Sequence, residues 1–584
     1  MKERWYLQTK KADFNGIGKK YHISPITARL IRNRDVVSEE EMEQYLYPDI
    51  SALSSPWLFK DMDQAVDLIN IKIDSQVKIR IICDYDVDGI CSGYMLLRSL
   101  REMGALVDIV VPHRIEDGYG INERLIQNAY EDGIDTIITC DNGIAAMEPV
   151  KEAKRLGMSV IITDHHEVPF ELVDGTTKYL IPPADAIVNH KQQDCDYPFK
   201  ELCGAMVAYQ FIRAVYESRN QSVEKVKKLL PYGAIATVCD VMRLVGENRA
   251  IVKYGIELLK ECRDIGINAL IHANQLAEKN ITPYHLGFVI GPGLNASGRL
   301  DTAKKAIDLL DAKDVEQADR LAQEICKLNA ERKEMTEHYR LEAIREAARC
   351  EDKVLVLYFP KCHESIAGII AGKVREEFNK PTFILTDGEE GVKGSGRSIE
   401  EYDMFEKLME IKDLLTKFGG HKLAAGVSLP KENVEILRKT LNENCNLSED
   451  DLYLKVWIDM QLPLEYVSRE LIEELKVLEP FGNGNPKPVF AEKNLQLVHL
   501  KIRGKQGNVL SMFLEDEHHT RMEGILFQRT DQFLAFLKER FGQEEIDKAM
   551  SGRTNKIRFM ATYYPSINEF QGRQSLQLII DRFC

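Results

Sequence analysis

The chain has 584 residues, enough for several independent cores, with 44% hydrophobic and 29% charged residues, an ordinary make-up for a globular protein. No apolar run reaches membrane-spanning length and the opening MKERWYLQTKKADF has no apolar signal stretch, so the sequence predicts a cytoplasmic protein with no membrane association. The net charge of −15 gives no global sign of a nucleic-acid partner, although residues 495–584 carry 13 Lys/Arg against 11 Asp/Glu, and 12 cysteines without a Cys-x-x-Cys pair argue against a zinc ribbon or a redox motif.

Residues 1–50 read as a helical appendage: ITARLIRNRDV, then SEEEMEQYL with Ser38 as N-cap and Glu41 closing a capping box, before Pro48. From 51 to about 200, apolar β-branched runs alternate with helical patterns. Strands are predicted at 77–83, 106–111, 135–140, 158–163 and 186–189, and helices at 90–103, 122–132 and 145–156. This is how a doubly wound α/β domain with a parallel sheet reads, and a mainly helical extension follows to 312. Residues 313–350 contain no Gly or Pro and predict one long helix between two lobes. A second α/β unit spans 351–447, with VLVLYF and PTFIL as strands around the helix SIAGIIAGKVREEF. Residues 452–584 carry short alternating strands, which suggests a small barrel of the type that binds single strands. There Tyr563, Tyr564 and Phe570, near Arg558 and Arg573, form a stacking track or fill the barrel core.

The chemistry is concentrated where the predicted strands end. Asp84-Tyr85-Asp86-Val87-Asp88-Gly89 follows the first strand, Asp141-Asn142-Gly143 the third and Asp164-His165-His166 the fourth. In open α/β sheets, ligands bind outside the carboxyl ends of strands. A lone Asp141-Asn142-Gly143 would read as a turn, but three carboxylates at alternate positions repel one another unless cations or protons compensate them. The imidazoles beside Asp164 add nitrogen donors to the same edge, so the set reads as a metal site. Asp240, among apolar neighbours in LPYGAIATVCDVMRL, needs a partner and suits the same metal. Cys83, Cys140 and Cys239 each precede one of these Asp residues and read as packing residues. Two glycine-rich stretches, 391–398 and 418–422, read either as turns or as a phosphate cradle in which backbone amides join Arg397, His421 and Lys422.

DYDVDG at 84–89, Asp141-Asn142-Gly143, Asp164-His165-His166, GPGLNASGRL at 291–300, GSGRS at 394–398, GGHKLAAG at 419–426 and LEPFGNGNPKPVF at 478–490 together resemble the RecJ family of the DHH phosphoesterase superfamily. The resemblance covers nearly the whole chain; the acidic motifs are shared across the superfamily, and the last motif with the C-terminal barrel singles out RecJ. It implies a DHH parallel-sheet domain, a long connecting helix, a DHHA1 α/β domain and a C-terminal OB-like β-barrel. The implied activity is a metal-dependent single-stranded DNA exonuclease in DNA repair and recombination. DNA would thread the cleft between the first two domains and be degraded from its 5′ end to nucleoside 5′-monophosphates.

By the same resemblance Asp84, Asp86, Asp141, His165 and Asp240 are ligands of two Mn²⁺ or Mg²⁺ ions. Asp141 bridges them, one ion leans on Asp84 and the other on Asp86, His165 and Asp240, and His166 sits nearer the scissile phosphate. Asn295 and Arg299 match positions at the substrate phosphate, and Arg397 and His421 match positions that hold DNA. The implied partners are single-stranded DNA, a single-strand binding protein and a helicase. Two departures stand out: Arg80 occupies the place of a superfamily His, implying fewer protein ligands for the first ion, and Gly291-Pro292-Gly293 replaces a GPR-type motif, removing a basic phosphate contact. Two readings compete with this one. A non-catalytic scaffold on the same fold fits poorly, because every carboxylate position is filled. A small-molecule phosphodiesterase or oligoribonuclease would not need a barrel of this size.

Overall fold

Residues 48–453 form one unit of the computed structural model, and the residues before 48 join 454–584 in a second. The described residues are 3–114, 117–174, 176–389, 391–504, 507–570 and 572–584. The amino-terminal strand β1 (Glu3–Leu7) belongs to the second unit.

In the first unit, β2 (Lys78–Cys83), β3 (Leu106–Val110), β4 (Thr136–Cys140), β5 (Ser159–Thr163) and β6 (Ala186–Val188) form a parallel sheet in the order β3-β2-β4-β5-β6. Side chains alternate between its two faces. Ile79, Ile81, Cys83, Ile138 and Cys140 enter one core with helices α1 (Val87–Glu102) and α2 (Gly204–Ser218). Ile82, Ile137, Val160 and Ile162 enter another with helices Glu123–Glu131 and Met147–Arg155. Burial on both faces is why these strands read as continuous apolar runs. The chain leaves β2 for β3 on one side and returns to β4 on the other, so the switch point lies between β2 and β4. Cys83 and Cys140, at the ends of those strands, are fully buried packing residues, as expected.

Helix α3 (Leu230–Cys239) packs on α1, and α4 (Gly291–Leu300) follows a π-helical turn at Leu286–Ile290. The predicted long helix is α5 (Val315–Ala347), 33 residues and about 50 Å. Beyond it, β7 (Leu355–Tyr358), β8 (Thr382–Gly388), β9 (Gly391–Arg397), β10 (Lys417–His421) and β11 (Ala424–Leu429) form a mixed sheet in the order β10-β11-β9-β8-β7, with helix α6 (Glu364–Phe378) on one face. The glycine-rich stretches are strands, not turns. The strand at 391–397 pairs on both sides and that at 417–421 on one, and successive amides of a strand point to opposite edges, so they do not converge into a nest there.

In the second unit, β1 pairs in parallel with β12 (Leu454–Ile458). Strands β13 (Phe490–Arg503), β14 (Val509–Glu515), β15 (Arg521–Phe527), β16 (Arg558–Phe570) and β17 (Arg573–Phe583) close a ring through β13–β14, β14–β15, β15–β17, β17–β16 and β16–β13 pairing. Its core also takes Leu30, Ile31, Met42, Tyr45 and Leu46, so the segment read as an appendage is part of this unit. The Ser38–Glu41 capping box forms as expected. Helices Thr530–Phe541 and Gln543–Met550 lie between β15 and β16, where the strand pattern gave no hint of them.

Tyr563 corrects the stacking-track reading: it is buried and its hydroxyl donates to the Leu462 carbonyl, because strand alternation turns it into the ring. Tyr564 is half-buried against Phe481 with Lys487 over its ring, and the Phe570 side chain lies outside the described residues. Among the described residues of this ring, Phe513 and Phe527 are the large exposed aromatics.

Candidate metal centre

Three loops at the carboxyl edge of the sheet bring the acidic motifs together. Asp84 follows β2, and its backbone N–H donates to Cys140 O at 3.3 Å. Asp86 caps α1, its Oδ1 accepting from the Asp88 and Gly89 amides at 2.9 and 3.1 Å. Any side chain at Gly89 would strike the Asp84 backbone, a Cβ there lying 2.4 Å from the Asp84 carbonyl oxygen. That close approach folds the motif back on itself. Asp141 follows β4 with φ +60, a left-handed conformation that Asp tolerates better than most residues. Asn142 is structural: it accepts from the Ile121 amide and donates to Ile82 O and Cys140 O, tying the loop to the sheet.

Asp164 organises the third loop. One oxygen accepts from the Ile144 amide, and the other takes the His165 and His166 amides and the His166 ring at 2.8 Å. Burial opposes its ionisation, yet the His166 imidazole and these donors hold it at about 2. The same contact raises His166 to about 9 against the effect of burial. His165 is driven the other way, to about 3, by burial and then by His166, so its imidazole is neutral and able to ligate.

His165 Nε2 lies 3.1 Å from Asp141 Oδ1, 3.6 Å from Asp88 Oδ2 and 3.7 Å from Asp240 Oδ2. Ligand atoms of Asp84, Asp86 and Asp141 fall within 4.8 Å of one another, as do those of Asp88, His165 and Asp240, and of Asp141, His165 and His166. The structure thus brings together all six residues expected at the centre, with Asp86 grouped beside Asp84. Burial and then the neighbouring carboxylates raise Asp84 and Asp141 well above the usual carboxylate range, and Asp240 to about 8. Asp84 Oδ1 and His165 Nδ1 are buried without hydrogen-bond partners among the described residues, and Asp141 Oδ1 is buried with only the poorly aligned His165 ring at 3.1 Å. Repelling carboxylates, orphaned acceptors and a neutral imidazole are a donor set that fits divalent cations.

Sequence reasoning assigned no separate role to Asp88. Its two oxygens accept the Gly204 and Ala205 amides at 2.6 and 2.7 Å, so it caps α2 and presses that helix against Asp141. A Cβ at Gly204 would lie 2.8 Å from Asp141 Oδ1. Tyr119 was also missed; its hydroxyl donates to Asp141 O at 2.9 Å and lies 3.2–3.3 Å from both His166 ring nitrogens. No local pattern marked it.

A cationic wall faces the carboxylates. Arg299 bonds Ser365 O, and burial followed by the nearby charges of Arg114, Arg332 and Arg397 lowers it to about 10 while Asp86 opposes the shift. Arg332 comes from the long helix α5, which no sequence motif indicated. Arg397 lies partly buried beside Gly368 of α6. Across the sheet, Arg397 and His421 are both register partners of Ala424, so they share a face two strands apart. Asn295 precedes Arg299 by one turn of α4. A cleft of about 480 Å³ opens on this side, lined by Tyr85 and Arg114 from the first domain and by Lys393, Ser395, Lys417 and Gly419 from the glycine-rich sheet.

The two departures resolve differently. Arg80 is held by Asp108 at 2.9 and 2.7 Å and by Asp132 at 2.8 Å, and takes no part in the cluster. Gly293 is buried against Leu270 and Ile325, so that position supplies no basic contact to a phosphate.

With this geometry in view, the comparisons with known proteins are specific. Models described as DHH family, N-terminal domain, as DHHA1 domain and as RecJ OB domain match residues 78–237, 351–447 and 458–582. Sheet, cluster and glycine-rich domain are thus those of a DHH protein with a DHHA1 partner domain. The chain is 36% identical to the single-stranded-DNA-specific exonuclease RecJ of Bacillus subtilis over 88% of its own length and 65% of that protein's. It is 31% identical to the Haemophilus influenzae protein of the same name over 97% of each. The chain belongs to the RecJ family. Its fold is also that of RecJ from Thermus thermophilus crystallised with Mn²⁺, at TM-score 0.83 and 24% identity over all of this chain and 80% of that one. Among the described residues, no helix is long and apolar enough to cross a membrane.

Proposed function

We propose that this protein is a single-stranded-DNA-specific exonuclease that works from the 5′ end and releases nucleoside 5′-monophosphates by two-metal phosphodiester hydrolysis. The observation that carries the reading is the sharing of Asp141 and His165 between overlapping cation-sized groups, set against the Arg299 wall at one cleft. Asp84, Asp86 and Asp141 would hold one Mn²⁺ or Mg²⁺, and Asp141, His165 and Asp240 the other. Bound there, two such ions would activate a water and offset the charge that builds on the leaving oxygen.

The protein's own groups supply the rest. Asp88 and Gly204 set the position of Asp141, and Asp164 orients the half-exposed His166 beside the cluster, where a ring N–H can donate to a phosphate oxygen. Arg299, with Asn295 one turn away and Arg114, Arg332 and Arg397 around it, would grip the phosphate chain, and His421 would extend that grip along the DHHA1 sheet. So many guanidiniums at one place suit a terminal phosphate, which carries more charge than an internal diester, and the end of a DNA strand that ordinarily bears one is the 5′ end. An enzyme restricted to single strands needs duplexes opened and strands kept accessible, which supports a helicase and a single-strand binding protein as partners. A DNA substrate supports a cytoplasmic location and a role in repair and recombination.

The test is digestion of 5′-labelled and 3′-labelled single strands and a blunt duplex with Mn²⁺ or Mg²⁺. Labelled mononucleotide should appear first from the 5′ label and the duplex should stay intact; early release from the 3′ label, or equal attack on duplex, would overturn the reading. Arg397→Ala should weaken binding of a single strand and reduce the slope of log affinity against log salt by about 1, as expected for one lost phosphate contact. Its metal content should match wild type. An unchanged affinity and slope, measured by titration at several salt concentrations, would leave Arg397 as a sheet residue only.

A further inference from the structure

We infer that Tyr284 and Phe288 form a base-stacking platform for the single strand beside the metal centre. This rests on the function proposed above and adds to it a recognition element for bases. Both side chains are largely exposed, at 63% and 66%, and their rings are stacked with centroids 5.1 Å apart and planes at 24°. Spaced i, i+4, the two rings support each other along the chain, and most of their surface is left open to a ligand. Sequence-tolerant stacking is what a non-specific single-strand binder needs.

The position of the helix that follows them ties the pair to the cluster. Leu286 O accepts from the Cys239 thiol at 3.5 Å, and a Cβ on Gly291 would lie 2.1 Å from Cys239 Sγ, one residue before Asp240. At the other end, a Cβ on Gly298 would lie 2.7 Å from Tyr85 O, inside the first acidic motif. The segment Leu286–Leu300 therefore runs along the metal centre, in contact with both the Asp84–Asp88 loop and the end of α3. Along it Phe288 is exposed and Asn295 and Arg299 are only partly buried, whereas Ile290, Gly291, Leu294, Ala296 and Ser297 are buried, so the three mark its accessible flank. That flank bears Arg299 at the cationic wall and Phe288 about three turns earlier in the same segment. The π-helical turn at Leu286–Ile290, a feature often found at functional sites, lies where the aromatic pair meets α4. A strand whose phosphate is held at Arg299 can follow the same flank and lay a base against Phe288. The occupant is a nucleobase of single-stranded DNA: a paired base keeps its faces within the duplex stack.

The test uses full-length protein and a 5′-phosphorylated oligonucleotide, intact or with single abasic residues placed at successive positions, with affinity measured by fluorescence anisotropy in EDTA. Phe288→Ala should weaken binding of the intact strand about tenfold. On the strand abasic at the platform position the same substitution should cost less than twofold, and Phe288→Trp should restore the intact-strand affinity. Equal losses on intact and abasic strands at every position, or no loss at all, would overturn the inference. Adding Mn²⁺ to the wild-type mixtures tests the exonuclease reading separately: absent cleavage with base-dependent binding intact would refute that reading and leave the platform standing.

Discussion

Asp141→Asn should reduce strand hydrolysis by more than about a hundredfold while leaving the fold intact. Losing a partner that merely orients a metal ligand typically costs about 10–100-fold, and Asp141 is shared by two of the cation-sized groups. Asn is a better probe than Ala at this position, because φ +60 is a conformation that Asn tolerates and Ala does not. Binding of single strands should persist, since the guanidinium wall is untouched. Stability offers a second readout. Burial and then Asp88, Asp86, Asp84 and Asp240 raise Asp141, so Asn, uncharged like the protonated carboxyl, matches the form that the metal-free fold favours, and the metal-free variant should melt no lower than metal-free wild type.

The pH dependence has a definite sign. Asp84, Asp141 and Asp240 are raised in the folded protein, so without metal their contribution to stability is present below the unfolded carboxylate range and is lost as pH rises through each raised value, about 8 for Asp240. Bound ions replace those protons. The rise in melting temperature on adding Mn²⁺ should therefore be larger at pH 8 than at pH 6, and smaller in Asp141→Asn at both. A variant with turnover within tenfold of wild type, in protein free of contaminating nuclease, would remove Asp141 from the centre.

Removing the second unit should separate grip from chemistry. The deletion has to take residues 1–47 as well as 454–584. Cutting only the C-terminal part would strip β1 of its partner strand and expose Leu30, Ile31, Met42, Tyr45 and Leu46, which pack in the ring's own core. The remaining residues 48–453 keep the acidic cluster and its supporting helices. They should still cleave a trinucleotide at a rate near that of the whole protein, but degrade a long strand on the order of tenfold less efficiently, as expected from losing one or two stacking contacts. Phe513 and Phe527, exposed on the ring, are the aromatics to substitute in the intact chain as a milder version of the same test. Equal losses on the trinucleotide and the long strand would make the unit a structural support.

Much of the metal centre was legible without coordinates because its information is local. An apolar β-branched run followed by Asp fixes where a buried parallel strand ends, and the carboxyl edge of such a sheet is where ligands gather, so Asp84, Asp141 and Asp164-His165-His166 could be placed together from sequence. Asp240 was findable because a carboxylate among apolar residues demands a partner. The long helix α5 followed from 33 residues without a helix breaker. What tertiary structure alone decided are matters of direction and meeting. Whether a strand aromatic faces in or out depends on register, and register put Tyr563 inside the ring while Phe513 stayed exposed. Asp88 became the cap of a helix 116 residues further on, a contact that no spacing encodes. The glycine-rich stretches became strands because their partners, β8 and β11, supplied ladders for their amides. Arg114, Arg299, Arg332 and Arg397 come from four separate segments, and only packing brings their charges near enough to act on one another. Periodicity reports the environment of one element at a time, whereas a site for a polyanion is built from long-range contacts whose partners lie hundreds of residues apart.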